Sequence, residues 1–315
     1  MEIRRGVVAD AGCDLSTQDF KRLGIGVWPI EVICGGNTTL DLRDDAATAE
    51  FYAHFEPGLA QTHPISAGAA RERLLALTEH HDHLLFVGIA ASRSPVLQSA
   101  KQAFDSLPPA LKSGRKVRNL PPLAFAAVDS QQLFAGHALV AAQAAEWLKT
   151  MDLATTAQRL QAFIPTVYCY NVPADLKTVR ARARLKGDAS VSFFSYALGT
   201  ALDIKPIVLC HQGRTGPVER IRGFERSVAR VVEAAKLAIG EGLQVPLISV
   251  VYGGPVQELQ QLAPFRDLQS ACQRFDVRML TSTMGITGVA NVGPGSLSVA
   301  FTATRAPIGN VDALS

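Results

Sequence analysis

Two segments place a hydroxyl just ahead of an amphipathic helical pattern. Thr62-His63-Pro64-Ile65-Ser66 precedes the repeat Ala70, Leu74, Leu77, and Ser94 precedes Leu97, Ala100 and Phe104. A hydroxyl at a helix start is ordinarily an N-cap. Free backbone N–H groups and the helix dipole also converge there, which favours an anion such as a carboxylate. An acyl-ester hydrolase would instead use Ser94 as nucleophile and His63 as base. The chain has no Gly-x-Ser-x-Gly elbow, and no third residue is placed to orient such a base. Binding therefore ranks ahead of catalysis, and no catalytic residue is assigned.

The run His80-His81-Asp82-His83 has metal-ligand residue types. It falls between a helix end and a buried strand, where a polar loop is expected, and no metal is assigned to it. A dinucleotide glycine fingerprint after the first strand, a P-loop and a His-Glu-x-x-His helix are all lacking. His137 and His211 stand alone and read as packing or surface residues. No cofactor is expected. The 5 cysteines are an odd number, widely spaced and without a Cys-x-x-Cys pair. They read as reduced small hydrophobes in a reducing, cytoplasmic compartment.

Short apolar runs alternate with helical patterns through the first half, as buried parallel strands joined by crossover helices do. Strands are expected at residues 6–9, 26–33, 84–90 and 123–128, with helices between them and a polar connection at 112–122. A further helix at 154–163 leads into an apolar run from Thr166 to Tyr170, which marks entry to a second domain. The second half carries Phe224, Val228, Val231, Ala235 and Ala238 in helical register and a strand from Leu247 to Tyr252. It ends in a strand where Leu297, Val299 and Phe301 alternate with smaller or polar residues, which predicts one open face. The fold class is α/β. A Rossmann-like N-terminal domain with a parallel sheet spans 1–163, and a mixed α+β domain spans 164–315.

A net charge of +3 from 31 basic and 28 acidic residues, well mixed, leaves no nucleic-acid footprint. The densest basic stretch, Lys177 to Lys186 with Arg180, Arg182 and Arg184, suits a solvated face of a strand or helix. No apolar run reaches the length needed to cross a bilayer.

The first strand leads into Ala9-Asp10-Ala11-Gly12-Cys13-Asp14-Leu15, followed by Gly24-Ile25-Gly26-Val27-Trp28-Pro29-Ile30. Further segments are Thr62-His63-Pro64-Ile65-Ser66, Ser94-Pro95-Val96-Leu97-Gln98-Ser99-Ala100, Val128-Asp129-Ser130, Leu198-Gly199 with Asp203-Ile204-Lys205-Pro206-Ile207, then Gly213, Arg222 and Gly293-Pro294-Gly295. In this order and spacing the chain resembles the DegV family of fatty-acid-binding, EDD-fold proteins over nearly its whole length. The resemblance implies a long-chain fatty acid held between two domains, its carboxylate met by hydroxyls of the first. It also implies a partner, an ATP-dependent fatty acid kinase to which the carboxylate is presented. Thr62 and Ser94 carry over as carboxylate contacts, with Ser66 and Ser130 behind them. Phe193, Phe194, Leu198 and Ile204 flank the C-terminal motifs and are expected in the pocket wall.

The departures cluster at the head-group end. Where the family has a Gly-Gly-Arg segment, this chain reads Lys186-Gly187-Asp188-Ala189-Ser190-Val191-Ser192, leaving Arg184 or Lys186 to supply the cation. Asn291 takes the place of a family histidine and donates a hydrogen bond without a charge. These changes leave two ligands open, a fatty acid in a less cationic site or a non-lipid small molecule, and they set presentation to a kinase behind simple binding. Burying about fourteen methylenes yields roughly 11 kcal/mol gross, ample for tight binding after ordering costs.

Overall fold

The computed structural model describes residues 3–109, 111, 115–116, 119–174, 176–186 and 203–314. The first half runs β1 (Arg5–Asp10), α1 (Thr17–Leu23), β2 (Ile25–Trp28), β3 (Ile30–Cys34), β4 (Asn37–Asp41), α2 (Asp45–Ala53), β5 (Gln61–Pro64), α3 (Ala67–His80), β6 (His83–Gly88), α4 (Val96–Asp105), β7 (Ala124–Asp129), α5 (Phe134–Leu148) and α6 (Leu153–Phe163). The second half runs β8 (Val167–Val172), α7 (Lys177–Lys186), β9 (Ile204–His211), β10 (Arg214–Arg222), α8 (Phe224–Glu241), β11 (Leu247–Tyr252), α9 (Ala263–Arg274), β12 (Arg278–Thr283), α10 (Ile286–Val292) and β13 (Leu297–Thr302).

β1 and β6 are short apolar runs because both faces of the first sheet are covered. That sheet has the order β2-β1-β6-β7, all parallel, with Val7 beside both Ile25 and Leu85. The single strand expected at 26–33 is two strands in two sheets. Pro29 separates them: it has no N–H to give a ladder, so β2 stays with β1 while β3 turns into an antiparallel sheet of order β4-β3-β5. The third sheet, β10-β9-β8-β13-β11-β12, is antiparallel except for the β11–β12 pair.

The open face expected on β13 is closed, since every residue of Leu297–Thr302 is buried. The alternation is one of size rather than polarity. Leu297, Val299 and Phe301 pack with Val228, Val231 and Ala235 of α8, while Ala300 joins the opposite cluster with the alanines of α5. Helix α5 is buried nearly all round, as an apolar helix without a polar stripe must be. It packs on β1 and β6 of the first sheet and on β8, β11 and β13 of the third, so the two large sheets share it. Gly136 permits that approach, because a Cβ there would lie 2.5 Å from Gln132 Oε1 and 2.9 Å from Cys169 Cβ. Among the described residues no helix is long and apolar enough to cross a membrane.

Candidate functional site

The cavity that gathers the sequence-predicted residues lies where the first and third sheets face each other. From the first half it is lined by Gly12 after β1, Ile30 of β3, Thr62 and His63 of β5, Ile89, Arg93 and Ser94 of the β6–α4 loop, and Leu133 and Phe134 at the start of α5. From the second half come Cys169 and Asn171 of β8, Val208 and Cys210 of β9, Thr215 of β10, Val179 of α7, and Thr287, Gly288, Asn291 and Val292 of α10. It encloses about 210 Å³. Aliphatic side chains from both halves and Phe134 from the first share it with hydroxyl, amide and guanidinium groups.

Buried carboxylates place these parts without entering the cavity. Asp10 accepts from Gly12 N at 3.0 Å and from Ile89 N at 2.6 Å, tying the loops after β1 and β6 together. Burial raises its pKa, with the nearby His137 opposing. Asp14 accepts from Arg43 Nη1 at 2.9 Å and from Gly285 N at 2.8 Å. Asp41 accepts from Arg43 N at 3.0 Å and from Thr287 N at 2.8 Å. Arg43 Nη2 also reaches Leu15 O at 3.0 Å and Thr283 O at 2.9 Å. Burial lifts Asp14 to about 6 even with Arg43 beside it. This network fixes the start of α10, whose residues Thr287 and Asn291, four apart, fall on one helix face.

Thr62, Ser94 and Asn291 line the same cavity, Ser94 just ahead of α4 as the spacing predicts and Thr62 on an element the sequence did not suggest. Thr62 does not stand at a helix start; it lies in β5, paired with Val32. Ser94 stands just ahead of α4, whose N-cap is Pro95 without a side-chain bond; among the described residues its Oγ accepts only a long 3.4 Å contact from Val96 N. The Ser94 hydroxyl is therefore not absorbed by an ordinary capping bond. Asn291 Nδ2 donates to Thr287 O at 2.8 Å. Ser66 does cap α3, accepting from Ala69 N at 3.2 Å, and lies outside the lining. Ser130 is fully buried against Gln132 and likewise outside it. Ile204 begins β9 away from the lining, and Phe193, Phe194 and Leu198 lie outside the described residues. Arg184 and Lys186 fall in α7, but their side chains are not among those described. His63 and Ser94 both line the cavity, yet no described hydrogen bond joins them, so the geometry adds nothing to the hydrolase reading.

The remaining motifs have structural partners. Asp82 of the histidine-rich run is buried and receives Arg4 at 3.0 Å together with Arg115. These hydrogen bonds hold its carboxyl far below the usual range. His211 stacks on Tyr168 at 4.2 Å, and burial lowers its pKa. Cys169 and Cys210 face each other across the β8–β9 ladder, and burial raises both thiols.

Four polar lining residues lie outside the sequence reading: Arg93, Asn171, Thr215 and Thr287. Asn171 Nδ2 and Thr287 Oγ1 are buried and meet no hydrogen-bond partner among the described residues, so each has capacity for a polar ligand atom. Arg93 adjoins Ser94 and brings a cation from a loop other than the one where it was sought.

The DegV family model, described as an uncharacterised protein of that family, matches residues 4–304. A DegV domain-containing protein of Xanthomonas campestris pv. campestris is 37% identical over 307 residues, covering 96% of this chain and 98% of that protein. One from Xanthomonas axonopodis pv. citri is 38% identical with the same coverage. Among solved structures, a fatty-acid-binding DegV family protein of Thermus thermophilus superposes with TM-score 0.73 at 20% identity, covering 96% of this chain and 100% of that one. DegV of Bacillus subtilis, a fatty acid binding protein, gives TM-score 0.73 at 19% identity with the same coverage.

Proposed function

Because the chain belongs to the DegV family, we propose that it binds a long-chain fatty acid in the cavity between its halves. The observation that carries this reading is the cavity itself. Ile30, Ile89, Leu133, Phe134, Val179, Val208 and Val292 offer apolar wall from both sides, while Thr62, Ser94 and Asn291 present the donors a carboxylate needs. Each buried methylene adds about 0.8 kcal/mol of driving force. A carboxylate taken from water without donors would cancel much of it. Solved relatives of the same fold that bind fatty acids support the assignment.

The reading divides the chain into domains at 1–163 and 164–315. In support, each described strand pairing stays within one half, and the halves meet through α5, α10 and the cavity lining. It also includes a cytoplasmic location and presentation of the carboxylate to a separate ATP-dependent fatty acid kinase. That step rests on the family resemblance, and the uncharged Asn291 in the histidine's place ranks it behind binding.

The test is mass spectrometry of an organic extract of protein purified without added lipid, paired with native mass spectrometry of the intact chain. A stoichiometric C14 to C18 fatty acid is the expected result. A different bound molecule, or a chain that stays empty when palmitate is supplied, overturns the assignment.

A further inference from the structure

Asn171 lies in β8, every residue of which is buried, and it lines the cavity from the third sheet. It is 6% exposed, and its Nδ2 meets no hydrogen-bond partner among the described residues. Its cross-strand neighbours do not take that donor up. Ser298, directly opposite on β13, has its Oγ 3.3 Å from Cys169 Sγ. Val208, directly opposite on β9, is apolar, and so are Pro173 and Val179, which share the lining. Other polar groups of the cavity are engaged: Arg93 donates to Thr215 Oγ1 on β10, and Asn291 Nδ2 donates to Thr287 O at 2.8 Å. Asparagine is a poor strand former, and a donor left dry in a protein interior is costly. If only methylenes lay beside this position, an apolar residue would serve β8 better.

We propose that Asn171 donates a hydrogen bond to an oxygen carried on the acyl chain itself, so that the site prefers a hydroxylated fatty acid to the saturated one of the same length. The inference rests on the fatty-acid reading above and deepens it. Thr62, Ser94 and Asn291 serve the carboxylate from β5, the β6–α4 loop and α10, whereas Asn171 stands on the third sheet among apolar lining. A chain hydroxyl accepts from Nδ2 there. A bare methylene strips the amide of water and returns nothing. Asn171 therefore discriminates between chains that share one head group.

The experiment titrates the delipidated full chain with palmitate, stearate, 3-hydroxypalmitate, 10-hydroxystearate and 12-hydroxystearate, for wild type, Asn171→Leu and Asn171→Ala. Wild type is expected to bind at least one hydroxy acid about 5- to 100-fold more tightly than the saturated acid of the same length, the range for satisfying one buried donor. Asn171→Leu, close to asparagine in shape, should gain affinity for the saturated acids and lose the preference, and its palmitate binding reports that it is folded. Asn171→Ala should lose the preference as well, without depending on the fit of a leucine. A wild type that binds the saturated acids as tightly as every hydroxy acid overturns the proposal whatever the variants do, and so does a preference that survives in both variants. If wild type binds none of these acids, the fatty-acid reading itself fails, and the role of Asn171 fails with it.

Discussion

Arg43 Nη1 lies 2.9 Å from Asp14 Oδ1, and both side chains are buried. Asp14 closes the motif after β1, and Arg43 follows β4 in the small sheet. Through Gly285 N and Thr283 O the pair also grips the segment that opens α10. Because α10 carries Thr287 and Asn291, the ion pair determines where these two polar lining residues sit. Removing one partner leaves the other charge buried and alone, which costs about 3–5 kcal/mol. Arg43→Met should therefore lower the unfolding free energy in urea by about that amount. The double variant Arg43→Met/Asp14→Leu should recover part of the loss. A single variant as stable as wild type would show that the pair contributes nothing.

Asp82 gives a pH signature of the opposite kind to a buried lone acid. Arg4 and Arg115 hold its folded pKa well below the usual carboxylate range. A depressed carboxylate contributes stability above its unfolded pKa and loses it as pH falls toward the folded one. Asp82→Asn should cost about 3 kcal/mol at pH 7, the scale for breaking a buried pair. The gap between wild type and variant should narrow as pH is lowered from about 4 toward 2. Parallel pH profiles of the two proteins in thermal melts would remove Asp82 from this role.

How much of this was legible in the sequence depended on whether the signal was local. The strands of the first sheet were readable because apolar runs such as Val7, Val8, Ala9 and Leu84, Leu85, Phe86 are buried on both faces. Pro29 hid a change of sheet inside one apolar run, since where a chain goes after a proline is set by tertiary pairing. The closed face of β13 is not legible because Ser298 and Ala300 look like surface residues, yet small side chains are what lets α5 approach. Ser94 stands ahead of α4 as its spacing indicates, whereas Thr62 belongs to a strand rather than a helix start; cavity and capping residues share the same hydroxyls. Arg93 was passed over, although it adjoins Ser94, because nothing local shows that β10 comes to meet it.

Gly136 tests the shared helix directly. Alanine in place of glycine inside a helix ordinarily stabilises by about 1 kcal/mol. Here the added Cβ would meet Gln132 Oε1 at 2.5 Å and Cys169 Cβ at 2.9 Å, and one contact belongs to the cavity wall. Overpacking of this kind costs about 1–3 kcal/mol. Gly136→Ala should thus be net destabilising in urea titrations and should weaken palmitate binding. A stabilised variant would mean that α5 can shift away from β8 at no cost.

Thr62 and Ser94 face the same cavity from different elements, so their contributions are expected to add in part. Thr62→Ala combined with Ser94→Ala should weaken palmitate binding by roughly 2–4 kcal/mol through loss of two donors to a buried charge. The Ser94→Ala component should change fold stability little, since among the described residues Ser94 Oγ makes only the long contact to Val96 N. Equal palmitate affinity of the double variant and wild type in a calorimetric titration would take both residues out of the head-group site.

Thr287 separates the two states of the cavity. Its backbone N–H is committed to Asp41, while its Oγ1 is buried with no hydrogen-bond partner among the described residues. An unsatisfied buried hydroxyl is a liability until a ligand meets it, at about 1–3 kcal/mol. Thr287→Val keeps the shape and removes that liability. In delipidated protein the variant should be more stable than wild type by about 1 kcal/mol in urea. With palmitate bound the order should reverse, because the wild-type hydroxyl then has a partner and the valine cannot supply one. Melting curves of both proteins with and without palmitate settle the point: a crossing of the order places Thr287 at the ligand's polar atoms, and a valine variant stabilised equally in both states places the ligand's head group elsewhere.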